Sequence, residues 1–102
     1  MTAREKIFEL VNQELKEANE QYPLFHSPHE AYAVLKEEVE ELQYNAGRLE
    51  SLTGQMWAKV KVDVEIETIT DPIHAQAVNA AMEAIQIAAM CEKIKQSNLY
   101  DD

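Results

Sequence analysis

Hydrophobic residues recur every three or four positions through most of this chain, which is the period of an amphipathic helix. The first such series comprises Ile7, Val11, Leu15, Ala18 and Tyr22. A capping box formed by Thr2 and Glu5 precedes the series, and Pro23 follows it. We therefore predict a first helix that begins after Thr2 and ends before Pro23.

A second, longer series follows a second capping box, in which Ser27 is the cap and Pro28 occupies the first helical position. Its members are Ala31, Leu35, Val39, Leu42, Ala46, Leu49, Met56 and Val60, with Thr53 in register. Alternating steps of three and four are typical of helices packed side by side. Gly47 and Gly54 are weak helix formers, so we expect a bend or a break there.

A third helix is indicated by Asp71 followed by Pro72, a cap and then a proline, and it continues to about Gln96. It is rich in alanine, so neighbouring helices could approach it closely from more than one side. The preceding segment, 62–70, alternates apolar and polar residues, which on pattern alone also fits a strand. A lone strand would have no partner in the chain, and we interpret the segment as a helix end and a connection.

These patterns predict an all-α fold: a bundle of about three long antiparallel helices in a single domain, 1–102. Because the third helix is apolar on too many faces for one chain to cover, we expect dimerisation to complete the bundle. Trp57 lies close to the apolar stripe of the second helix, so we predict that it belongs to the core or to a subunit interface.

Composition narrows the possible partners. The 102 residues include 19 acidic and nine basic ones, a formal charge of −10, which argues against nucleic acid polymers and anionic membranes. The charged N-terminus does not resemble a signal peptide, and no apolar run approaches 20 residues. We therefore expect a cytoplasmic protein. The single cysteine, Cys91, follows an apolar run, and we predict a buried structural thiol.

Acidic residues are the main candidates for chemistry. The second predicted helix carries an E-E-x-x-E run, Glu37, Glu38 and Glu41. At about 100° per residue, Glu38 and Glu41 point to the same side of the apolar stripe, and Glu37 reaches only its outer edge. On the third helix, one polar line comprises Gln76, Asn79, Glu83 and Gln86.

Two interpretations of these residues remain open. Two helices side by side could bring Glu38, Glu41, Glu83 and Gln86 together, a donor set that suits a hard cation such as Mg²⁺. Alternatively, the E-E-x-x-E run is a solvated surface. The line from Gln76 to Gln86 would then be the water-facing side of an amphipathic helix, which Lys93 continues.

The stretches 27–42 (SPHEAYAVLKEEVEEL) and 83–90 (EAIQIAAM) resemble the MazG-like nucleotide pyrophosphohydrolases, in particular their short phage and prophage forms. The resemblance covers roughly half the chain. It implies an all-α bundle completed across subunits as a homodimer or homotetramer. It also implies Mg²⁺-dependent hydrolysis of ribo- or deoxynucleoside triphosphates to the monophosphate and pyrophosphate, with Mn²⁺ as a possible substitute.

The resemblance also assigns roles to single residues. Glu38 and Glu41 match the metal-binding acids of the family's E-E-x-x-E motif, and Glu83 matches the acid that opens its E-x-x-D motif. Gln86 stands where that motif has aspartate, so it would offer an amide oxygen without charge. The implied metal ligands are Glu38, Glu41, Glu83 and Gln86. The implied catalytic residues are Glu37, as base or outer-shell group, and Glu38.

The sequence leaves open which cation contacts the substrate and whether the chain is an enzyme at all. A cation for the substrate's phosphates could be Lys36, Arg48, Lys59, Lys61 or Lys93, and no pattern selects one of them. Because of Gln86, the chain could instead be a catalytically inactive helical interaction module that retains the scaffold. A plain structural helical oligomer is the third possibility.

Overall fold

The computed structural model describes residues 1–100, and within that range the protein is entirely helical. It consists of α1 (Ala3–Gln21), α2 (Pro28–Lys61) and α3 (Glu67–Gln96), with no strand in the described part of the chain. The predicted all-α class is confirmed.

The first two helices begin at the predicted caps. Thr2 Oγ1 accepts a hydrogen bond from Glu5 N at 3.1 Å, and Ser27 Oγ accepts one from Glu30 N at 3.1 Å. Each cap satisfies a backbone donor that the first helical turn leaves without a partner. The expected break at the glycines is wrong, because α2 continues through both as one helix of 34 residues.

The third helix begins earlier than predicted, at Glu67 rather than after Asp71, and Pro72 lies inside it. The Glu65 carboxylate accepts hydrogen bonds from Thr68 N at 3.2 Å and Thr68 Oγ1 at 2.8 Å. This contact satisfies a backbone donor in the first turn of α3, whose N-cap is Ile66, and it lowers the pKa of Glu65. The segment 62–70 is therefore a connection plus the first turn of α3, and the strand alternative is excluded.

Helix α3 lies between the other two and contacts both. Near its C-terminal end, Asn19 Nδ2 donates to Gln96 Oε1 at 2.9 Å, so α1 runs parallel to α3. In the N-terminal half of α3, Gln76 Oε1 accepts a hydrogen bond from Arg48 Nε of α2 at 3.0 Å, so α2 runs antiparallel to α3. Consecutive helices are thus antiparallel, as predicted.

The hydrophobic core is small and lies between α1 and α3. Val11, Ile85 and Ala89 are buried there, and the partly buried Leu15, Ala88 and Met90 pack against them. The molecule measures 65 × 33 × 20 Å, with a radius of gyration of 17.9 Å, against about 13 Å for a compact domain of this length.

The elongation arises because α1 covers only one end of the α2–α3 pair. The other end, 45–61 with 67–82, is a two-helix arm that we call the distal hairpin. Several large apolar side chains are exposed on it: Trp57, Val60, Val78 and Met82. Trp57 is 59% exposed, so it is not a core residue of the single chain.

Cys91 is exposed, so the predicted buried thiol is wrong. Other residues of the preceding apolar run face the interior of the molecule, whereas Cys91 faces solvent.

None of the helices in residues 1–100 combines the length and the hydropathy that crossing a membrane requires.

Candidate metal centre

Three carboxylates converge where the three-helix end of the molecule meets the distal hairpin. Glu38 and Glu41 lie one turn apart on α2, and Glu83 faces them from α3. Each offers an oxygen atom, and the three atoms lie within 4.8 Å of one another. We call these residues the acid cluster. The spacing of three on α2 places two acids on one face, and the antiparallel packing of α3 supplies the third.

Protonation is favoured at all three members of the cluster. Partial burial is the main cause that raises the pKa of Glu38 and of Glu83, because it disfavours the charged carboxylate. For Glu41, which is exposed, a hydrogen bond between its carboxyl group and the Glu83 carboxylate is the main cause of the raised pKa. Repulsion between the neighbouring acids raises all three further.

Gln86 lies beside the acid cluster, one turn beyond Glu83. When its amide is oriented to satisfy its neighbours, its NH₂ group donates to Glu83 Oε2 and to Glu38 Oε2, each at 3.1 Å. The amide thereby offsets part of the repulsion between these two carboxylates. To offer its oxygen to a cation instead, the amide must turn over.

The residues present fit a hard divalent cation. Carboxylate oxygens are the ligands that Mg²⁺ and Mn²⁺ prefer, and amide oxygens also bind such ions. A cation placed among Glu38, Glu41 and Glu83 would remove the repulsion that raises their pKa values. The cluster contains no histidine or cysteine, so its chemistry does not favour Zn²⁺.

The other members of the E-E-x-x-E region lie outside the cluster. Glu37 is exposed and borders both depressions next to it, which agrees with its predicted place at the outer edge. Glu40 pairs with Lys36 at 3.2 Å on the exposed side of α2. The run is therefore part site and part solvated surface.

The predicted polar line on α3 does not share one environment. Gln76 is 7% exposed and is buried against α2, where its amide donates to Asn45 Oδ1 and accepts from Arg48 Nε. Asn79 is exposed, whereas Lys93 is only 3% exposed. The interpretation of this line as a water-facing side is therefore wrong for Gln76 and Lys93.

Sequence reasoning missed the partners that α2 provides for Gln76. Asn45 and Arg48 continue the face of α2 that carries Glu38 and Glu41, at steps of three and four residues. That spacing was readable in the sequence. Nothing in it showed that Gln76 would be buried, because a polar side chain at that position suits a wet surface equally well.

Two depressions flank the acid cluster. An open groove of about 410 Å³ is lined by Glu41 and Glu83 together with Glu37, Glu40, Tyr44 and Asn45. A larger cleft of about 690 Å³ lies between α1 and α2, and α3 forms its floor with Gln86, Met90 and Lys93. Glu38 and Glu37 border this cleft, so a ligand could reach the cluster from either side.

Comparison of the chain with protein-family models, with characterised proteins and with solved structures finds no match. The resemblance to MazG-like enzymes therefore stays a prediction that rests on the two motifs.

Proposed function

We propose that this protein hydrolyses ribo- or deoxynucleoside triphosphates between the α- and β-phosphates, in a reaction that depends on Mg²⁺ or Mn²⁺. The observation that carries the proposal is the convergence of Glu38, Glu41 and Glu83 within 4.8 Å. The MazG-like motifs that contain these residues support it, and so do the two depressions beside them.

In this proposal each residue has a separate task. Glu38, Glu41 and Glu83 would hold the cation, and the amide oxygen of Gln86 would add a ligand if the amide turned over. The bound cation would screen the phosphate charge and polarise the phosphorus. Glu37, at the edge of both depressions, accepts the proton of the attacking water. A new P–O bond forms, the bond between the α- and β-phosphates breaks, and pyrophosphate leaves.

We also propose that the protein works as a homodimer or homotetramer in the cytoplasm, where nucleotide pools lie. The exposed apolar side chains of the distal hairpin support this assembly, because no third helix of the same chain covers them. The acid cluster borders the hairpin, so a second subunit placed there would also lie close to the open groove.

The test is pyrophosphate release from a panel of nucleoside triphosphates with Mg²⁺, Mn²⁺ or EDTA. We expect metal-dependent release by the native protein, and a loss of at least 100-fold in E38Q or E41Q, with the helical signal unchanged. E40Q is the matched control, since it removes one carboxylate from the same helix outside the cluster, and it should retain native turnover. Native turnover in both E38Q and E41Q would exclude the cluster as the site.

The orientation of Gln86 favours one alternative, a catalytically inactive helical interaction module. Its amide satisfies Glu38 and Glu83 by hydrogen bonds without any cation. Folded protein that releases no pyrophosphate from any nucleotide, and that Mg²⁺ does not stabilise, would support this alternative over the enzyme.

A further inference from the structure

The floor of the larger cleft contains a buried cation without a carboxylate partner. Lys93 is 3% exposed, and among residues 1–100 no carboxylate lies within 4.0 Å of its Nζ and no hydrogen bond to Nζ is present. Its ammonium group instead lies 5.2 Å from the centre of the Phe25 ring. The stem of this side chain is therefore covered, while its ammonium group has no hydrogen-bond or ion-pair partner among the described residues.

The ammonium group keeps access to the cleft. Every fully buried side-chain nitrogen or oxygen atom among the described residues has a hydrogen-bond partner, so Nζ, which has none, is not sealed off. Lys93 is also the one lysine or arginine among the residues that line this cleft.

Lys93 lies in line with the acid cluster. It follows Gln86 by seven residues on α3, which is two helical turns, so both residues occupy the same face about 10 Å apart along the axis. Both line the cleft floor. A chain of phosphates that begins at the cluster and extends along this floor would approach Lys93.

Two other cations near the cluster are already engaged. Lys36 pairs with Glu40 at 3.2 Å on the exposed side of α2. Arg48 donates to Gln76 at 3.0 Å and to Tyr44 Oη at 3.4 Å, which anchors it to the α2–α3 interface.

The remaining candidates are remote. Lys59 and Lys61 belong to the last turn of α2, 18 or more residues beyond Glu41 and therefore about 27 Å away along the helix. Lys61 also lies 5.9 Å from the centre of the Trp57 ring.

We infer that Lys93 binds the pyrophosphate portion of the substrate, so that the phosphate chain lies in the α1–α2 cleft rather than in the open groove. This inference rests on the proposed function for the identity of the substrate. Its physical content is narrower: a polyphosphate, together with divalent cations, binds in this cleft through the Lys93 ammonium group. Divalent cations are required because five carboxylates line the same cleft: Glu14, Glu17, Glu30, Glu37 and Glu38.

The experiment measures binding of inorganic pyrophosphate in the presence of Mg²⁺ by isothermal titration calorimetry. K93M removes the charge and keeps a long apolar side chain, and K93R keeps the charge. K95M is the matched control, because Lys95 lies on the same helix, with 76% of its side chain exposed.

We expect K93M to weaken pyrophosphate binding by about tenfold or more, the usual effect of losing a charge-assisted hydrogen bond. K93R should retain most of the affinity, and K95M all of it. In turnover assays K93M should raise KM more than it lowers kcat. Its thermal midpoint should change little, because methionine keeps the apolar packing of the covered lysine stem, and this measurement verifies folding.

The outcomes separate the two proposals. Native affinity for pyrophosphate in K93M, or no binding by the native protein, overturns the role of Lys93 even if nucleotides are hydrolysed. Lys93-dependent pyrophosphate binding without nucleotide hydrolysis overturns the proposed function and leaves the anion site in place.

Discussion

Glu38, Glu41 and Glu83 hold protons more tightly in the folded protein than ordinary carboxyl groups do. All three pKa values are raised, so the folded state binds more protons than the unfolded chain above the ordinary value of 4.5. The cluster therefore increases the free energy of unfolding as pH falls. This contribution to stability is lost as pH rises through the raised pKa values.

This linkage can be measured by urea denaturation of the metal-free protein between pH 7.5 and 5. The free energy of unfolding of the native protein should rise more steeply with falling pH than that of E83Q. E40Q carries the same net charge as E83Q and should follow the native curve. Saturating Mg²⁺ should reverse the contribution of the cluster, because protons then compete with the cation. Parallel curves for the native protein and E83Q would contradict the assigned pKa shifts.

Gln86 shows what one amide changes in such a cluster. An aspartate there would add a fourth negative charge, whereas the amide donates hydrogen bonds to Glu38 and Glu83. The metal-free cluster is therefore less repulsive, and its attraction for a cation is weaker. A single residue thus shifts the balance between a stable scaffold and a strong metal site.

Pro72 is the least favourable residue inside any helix of this protein. It has no N–H to donate to the carbonyl group of Thr68, four residues earlier in α3. Replacing it with alanine should raise the free energy of unfolding by about 1–2 kcal/mol, because the gain in helix propensity exceeds the added entropy of the unfolded chain.

Urea denaturation measures this effect, and P28A provides the comparison. Pro28 occupies the first turn of α2, where a missing N–H does no harm, so P28A should change stability little. Equal stability of P72A and the native protein would mean that the start of α3 contributes nothing to folding.

The helices illustrate how far the sequence determines the structure. Thr2 and Ser27 were readable as caps because a side-chain oxygen and an acid three residues later satisfy local donors. The start of α3 could not be predicted in this way, because Asp71 and Pro72 form an ordinary start signal that tertiary packing overrides. The early turn is stabilised by Glu65, and Ile69 is buried within it.

The acid cluster was predictable for the same reason as the caps. The spacing of Glu38 and Glu41 fixes their common face, and Glu83 follows from packing two helices side by side. The environment of Lys93 was not predictable, since a lysine near a helix end is usually exposed. Its surroundings include Phe25 of the loop before α2, a contact that no local pattern contains.

At the scale of the molecule, the distal hairpin exposes large apolar side chains such as Trp57 and Val78, which the proposed assembly would cover. W57E places a charge on the exposed surface of the hairpin. It should shift the protein toward monomer, because association would bury an unpaired carboxylate. Light scattering coupled to size-exclusion chromatography measures the shift. Y22E is the control: Tyr22 is 66% exposed at the end of α1, away from the hairpin. A native protein that is monomeric at micromolar concentration would refute the proposed assembly.

The central position of α3 also sets an order of assembly. Contacts between α2 and α3 join residues such as Arg48 and Gln76, 28 positions apart, and Glu41 and Glu83, 42 positions apart. By contrast, Asn19 of α1 and Gln96 of α3 are 77 positions apart. Closing the shorter loop costs less chain entropy, so the α2–α3 pair forms first and α1 docks last. We therefore expect the acids of α2 and α3 to meet early in folding, and the larger cleft, which includes Glu14 and Glu17 of α1, to form only in the final step. Release of α1 alone would open this cleft and leave the acids together.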